Sequence, residues 1–122
     1  MISATMTILY VANPVKSARF YADLFHLQHE EAFPTFCQIT LPGGFQLGLW
    51  SKYTAEPLAP QRQESSGELF ITAGSRQEVD DTFIEWGNKL VTMIQKPVAL
   101  DFGYTFVAID PDGQRIRVCC LE

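Results

Sequence analysis

The chain has 122 residues, enough for one compact unit or two small fused ones, and 47% of them are apolar, too many for a disordered polymer. A formal net charge of −5 with no basic stripe excludes a surface that tracks nucleic-acid phosphates. Three cysteines are read as reduced thiols, since Cys119 and Cys120 are strand neighbours that point to opposite faces, although Cys37 could in principle pair with either. No basic-then-apolar leader precedes Ser3, and no apolar run approaches the roughly 20 residues of a membrane span, so the expected location is the cytoplasm, with no membrane partner.

Met6, Ile8 and Tyr10 alternate with Thr7, Leu9 and Val11, which predicts a strand over about Ala4 to Val11. Asn13 is a helix cap with Pro14 at the first helical position, where its missing N–H costs nothing. Val15, Ala18, Ala22 and Phe25, joined by Tyr21, make the buried stripe; Lys16, Arg19 and Asp23 face water. The helix ends near His26, where a left-handed residue is expected. Strands follow over roughly Gln28 to Phe33, Phe36 to Leu41 and Phe45 to Ser51, the first two joined by a turn at Pro34-Thr35. Tyr53 to Ser66, with Pro57 and Pro60, has no periodicity and reads as a linker or flap.

The plan then repeats. Glu68 to Ala73 is a strand, and Ser75-Arg76-Gln77-Glu78 is a capping box that opens a helix with Val79, Phe83, Trp86 and Leu90 as its buried stripe. Further strands run over roughly Thr92 to Pro97, Tyr104 to Ile109 and Arg115 to Leu121, with a longer irregular passage around Val98 to Gly103. Each half closes on a Pro/Gly turn and an alternating strand: Leu41-Pro42-Gly43-Gly44 before Phe45 to Trp50, and Asp110-Pro111-Asp112-Gly113 before Arg115 to Cys119. Strand, helix, three strands, written twice, predicts an α+β fold in which each helix covers one sheet face. The boundaries are module 1 over about 1–52, a linker over about 53–66 and module 2 over about 67–122.

Tyr10-Val11-Ala12-Asn13 with Ser17 and Phe20-Tyr21, then Val79-Asp80, Phe102-Gly103 and Asp110-Pro111-Asp112-Gly113, resemble in their order the vicinal oxygen chelate superfamily, which includes glyoxalase, bleomycin-resistance proteins and ring-cleaving dioxygenases. The resemblance spans nearly the whole chain. It implies tandem βαβββ modules whose curled mixed sheets form a cleft with helices on the outer faces, and, in members this short, a homodimer that completes two clefts. Its enzymes hold a divalent metal through ligands that, by motif offset, fall at or near Met6, at about Glu68 and on Arg117. Met is a poor ligand for hard ions and Arg has no lone pair to give, so no metal or other cofactor is expected. His26 and His29 are read as surface imidazoles, and Asp101-Phe102-Gly103 as a turn with a Phe at the pocket edge.

The expected ligand-binding residues are Met6, Ile8, Tyr10, Gln46, Gly48 and Trp50 from the first half and Glu68, Phe102, Tyr104, Arg115 and Arg117 from the second, with Cys119 sharing their face. Tyr104 and Phe106 join or leave this set according to the pleat. Gly48 is expected to leave room, and Trp50 to offer a flat stacking surface, although packing in a core or dimer interface would explain Trp50 and Tyr10 as well. Trp86 is assigned to the core. Glu68 is read as the ion partner of Arg117, with general-base action as the rival. No catalytic residue is assigned. The favoured function is a metal-independent homodimer that sequesters an aromatic, antibiotic-like small molecule. The rivals are a metal-dependent lyase, isomerase or dioxygenase and an interaction module with a vestigial cleft.

Overall fold

Alternation does become strand at both ends of each half. The computed structural model describes residues 1–28, 33–61 and 65–122, which divide into two compact units, Met1–Arg62 and Gln63–Glu122.

In the first unit, β1 (Met6–Val11) lies parallel to β3 (Gln46–Ser51), and β3 pairs antiparallel with β2 (Phe36–Thr40), in the order β1-β3-β2. Helix α1 (Pro14–Leu24) starts where Asn13 Oδ1 accepts the Lys16 N–H at 3.1 Å, which satisfies an otherwise orphaned donor. It ends at Leu24 with Phe25 as its cap, and His26 just beyond takes φ +57°, the left-handed conformation expected there. The buried seam of the helix is Pro14, Ser17, Tyr21, Ala22 and Leu24, while Val15, Ala18 and Phe25 are only half-buried. The small Ser17, one turn from Tyr21, lets the helix lie close on β2 and β3, whose Cys37, Leu47 and Leu49 are buried.

The strand expected over Gln28 to Phe33 falls largely on 29–32, outside the described residues, as does His29. Phe33 bridges Phe36 across the Pro34-Thr35 turn. The segment expected to be a linker packs in part on this unit: Ala55 and Ala59 are buried, and Gln61 Nε2 donates to the carbonyls of Lys52 and Ala59.

In the second unit, β4 (Glu68–Thr72), β5 (Thr92–Leu100), β6 (Gly103–Ile109) and β7 (Arg115–Leu121) form a mixed sheet in the order β4-β7-β6-β5. Helix α2 (Arg76–Asn88) is capped by Ser75 Oγ, which accepts the Glu78 N–H at 3.1 Å. Val79 and Trp86 are buried beneath it, with Phe106 edge-on to both Phe83 (5.4 Å) and Trp86 (5.6 Å). Leu90 does not join that stripe: it lies past the helix end at φ +63° and is 89% exposed. Of the longer passage expected around Val98 to Gly103, Val98 to Leu100 continues β5 and Asp101-Phe102 is a turn. β5 is the last strand of its sheet, so Pro97, which has no N–H to give, is accommodated with two register shifts. The Asp110 carboxylate accepts the N–H groups of Asp112 and Gln114 (2.8 and 2.9 Å), and Gly113 supplies φ +83°. Among the described residues no helix is long and apolar enough to cross a membrane.

The tandem βαβββ plan and the α+β class are therefore as the sequence implies, each helix covering one face of its own sheet. Most of the candidate site residues stand on the opposite face of each sheet.

Candidate ligand-binding faces

On the first sheet, the register sets Met6 beside Gln46, Ile8 beside Gly48 and Tyr10 beside Trp50; on the other flank of β3, Thr40, Gln38 and Phe36 lie beside the same three residues. Period-two alternation puts all nine on the face turned away from α1. Tyr10, Trp50 and Phe36 thus form one row across three strands, with the Trp50 and Phe36 rings 6.0 Å apart and 78° from parallel. Ile8 and Tyr10 are exposed, and the face carries no formal charge. The Gln38 side-chain amide donates to that of Gln46 at the far end of the face from the aromatic row.

Gly48 does not leave the gap expected of it. A Cβ there would stand 2.9 Å from Phe36 Cζ, 3.1 Å from Ile8 Cγ1 and 3.1 Å from Met6 Sδ, so neighbouring side chains already lean over the glycine. Phe36, Gln38 and Thr40 were not among the sequence-derived site residues. Their alternation on β2 is a signal that could have found them, once β2 is paired to β3.

On the second sheet, Glu68, Phe70 and Thr72 lie beside Arg115, Arg117 and Cys119. Arg117 is held on several sides. Its Nε and Nη2 donate to the two oxygens of Glu68 at 2.8 and 3.1 Å, and Nη1 donates to Thr105 Oγ1 (3.3 Å) and Gln95 Oε1 (3.4 Å). The guanidinium carbon stands 5.7 Å from the centre of the Phe102 ring, within cation–π range. Thr105 passes its own proton to the Val118 carbonyl at 2.8 Å, so the buried hydroxyl both accepts and donates. Paired in this two-pronged geometry, the charge of Arg117 is neutralised by Glu68, the ion partner expected for it. Arg115 is exposed on the same face.

Tyr104 stands apart from this group. It pairs with Cys120 and so faces α2, where its hydroxyl donates to Asp80 at 2.7 Å and the Arg76 guanidinium lies 4.8 Å above its ring. The hydrogen bond to Asp80 holds the phenol above its ordinary pKa. Phe106 shares that face, in the core. The pleat is set by the pairing of Gly103 with Leu121, which sends Thr105 and Val107 to the Arg117 side.

The donor set does not fit a divalent ion. Both oxygens of Glu68 are taken by a permanent cation, Met6 offers only a thioether, and among the described residues no three His, Cys, Asp or Glu side chains gather as ligands. Burial pushes the Cys37 thiol up, which makes it a packing residue rather than a nucleophile.

No protein-family profile matches the sequence. The chain is 30% identical over 124 residues to the phenazine antibiotic resistance protein EhpR of Enterobacter agglomerans, covering 99% of this chain and 94% of that one. The solution structure of protein ATC0852 from Agrobacterium tumefaciens superposes with a TM-score of 0.88 at 42% identity, over 100% of this chain and 99% of that one. A glyoxalase/bleomycin resistance protein/dioxygenase family enzyme from Burkholderia phytofirmans shares the fold, with a TM-score of 0.85 at 19% identity, over 99% of this chain and 100% of that one.

Proposed function

The chain belongs to the glyoxalase/bleomycin-resistance/dioxygenase family, and from that premise we propose that it sequesters a planar aromatic antibiotic, of which phenazines are the first candidates, without a metal. The observation that carries this reading is the uncharged row of Tyr10, Trp50 and Phe36 on the free face of the first sheet. Tyr10 is exposed and Trp50 and Phe36 are half-buried, and aromatic side chains at adjacent register positions can stack on flat rings and bury large apolar area at little conformational cost. On the second unit's own free face, Phe102 and the Arg117–Glu68 pair offer a ring beside polar groups, a second place where an aromatic ligand could be held. A homodimer acting in the cytoplasm is part of the proposal. Sedimentation at micromolar concentration tests the dimer: a monomer throughout contradicts it.

Titration followed by tryptophan emission tests the binding. Trp86 is buried and edge-on to Phe106, so it supplies a constant background. Phenazine is expected to quench the Trp50 component saturably, Trp50→Phe to remove the change while keeping a smaller stacking ring, and Trp50→Ala to weaken binding about tenfold, the equivalent of one lost stacking contact. If a broad panel of aromatic compounds leaves the emission unchanged, the reading fails. Stoichiometric zinc, nickel, iron or manganese in protein purified without chelators would instead favour a metal-dependent enzyme.

A further inference from the structure

The register makes Ile8 and Gln38 the direct neighbours of Gly48, yet the atom closest to its missing Cβ is Phe36 Cζ, from the diagonal position. Diagonal neighbours sit about 7–8 Å apart at Cα, within reach of an aromatic ring that leans along the strand. Phe36, paired with Trp50, therefore leans along its strand so that the tip of its ring reaches over Gly48. That tilt is what turns its ring 78° from the indole, the edge-to-face arrangement that aromatic quadrupoles favour. Met6 and Ile8 close the socket from the other flank.

We propose that Phe36, seated in the socket above Gly48, is a positioning residue: it fixes the Trp50 indole edge-on and so tunes this face to flat fused-ring ligands over compact, non-planar ones. The proposal rests on the binding function above and names a specificity element within that site. A Cβ at position 48 meets a ring tip, which can swing away, so Gly48→Ala displaces Phe36 without breaking the strand. The indole then loses its edge contact and samples other rotamers, and a flat ligand meets a mobile stacking surface. Ordering that surface on binding costs affinity for a planar ring, whereas a compact cage that touches only its rim is affected little.

The experiment uses the full chain as wild type, Gly48→Ala, Phe36→Leu and Phe36→Tyr, each checked for a retained thermal transition. In the absence of any ligand, acrylamide quenching of tryptophan emission is expected to rise about twofold in Gly48→Ala and Phe36→Leu and to return to wild type in Phe36→Tyr, which keeps the ring. Phenazine as the flat probe is expected to bind about tenfold more weakly to the first two variants, with 1-adamantanamine, the compact probe, changing less than twofold. Unchanged quenching in Gly48→Ala and Phe36→Leu overturns the inference whether or not any ligand binds. Wild type that binds phenazine, with both variants within twofold of it, overturns the inference while leaving the binding function standing. Wild type that binds neither probe overturns the specificity role, and the binding function falls with it when the broad aromatic panel also leaves the emission unchanged.

Discussion

Gly48 and Arg117 occupy the same place in the two halves, each at the middle of the strand that runs beside the opening strand of its module. In the first half the position has no side chain, and three neighbours lean over it. In the second it has a long cationic side chain, and Glu68, Thr105, Gln95 and Phe102 hold it. One duplicated frame thus carries an uncharged aromatic face and a charge-compensated polar face. The comparison teaches that the frame is fixed by the helix-side residues, such as Leu47 and Leu49 against Ile116 and Val118, all buried. The opposite side was left to diverge.

Glycine at two places separates the halves most sharply. At Gly103 an added Cβ would fall 2.2 Å from the Cys120 carbonyl oxygen, a backbone atom that cannot swing away, whereas at Gly48 it meets side-chain tips. Gly103→Ala is expected to cost about 3 kcal/mol in chemical denaturation and Gly48→Ala about 1 kcal/mol, the two ends of the usual overpacking range. Equal costs would show that the socket is rigid.

The polar face is next in size. Arg117→Ala leaves the Glu68 carboxylate without its donor and is expected to cost about 2 kcal/mol, Glu68→Gln about 1 kcal/mol, with a double-mutant coupling of about 1 kcal/mol. Corresponding removal of Met6, the residue in the place of Glu68, leaves no charge behind. A coupling near zero would mean that the pair is only a solvated surface contact.

The helix ends of the two halves match: His26 and Leu90 both take left-handed backbone without being glycine. Leu90→Gly relieves that conformation at an exposed site and is expected to stabilise by about 0.5–1 kcal/mol, read as a raised denaturation midpoint.

The smallest effect belongs to the second half alone. Two hydrogen bonds from Arg76 hold the Glu122 carboxyl below its ordinary value of 4.5. This contribution is present above that value and is lost as pH falls through the folded pKa, so Arg76→Ala is expected to flatten the acid limb of the stability profile. On the alkaline side, the hydrogen bond to Asp80 raises Tyr104 above 10.0, and its contribution is lost as pH rises through the folded value.

The fold was legible because its signals are local and repeated: Asn13 and Ser75 as caps, the Asp110 turn, and alternation in β1, β3 and β7. The first-sheet face followed from the same alternation plus an aligned register, and the Arg117–Glu68 pair from the motif offsets that the family resemblance implies. What escaped depended on partners distant in sequence. The side on which Tyr104 lands is set by which residue of β7 Gly103 pairs with, and the filling of the Gly48 socket by a ring from β2. Leu90 fits the helical period but lies one turn too far, because nothing in the period marks where the helix must stop.

Phenazine titrated calorimetrically into the protein, before and after exhaustive chelation, bears most directly on the claim that an arginine has replaced the metal. The account predicts the same affinity within twofold in both preparations. Binding that vanishes on chelation and returns with one equivalent of a divalent metal would contradict it.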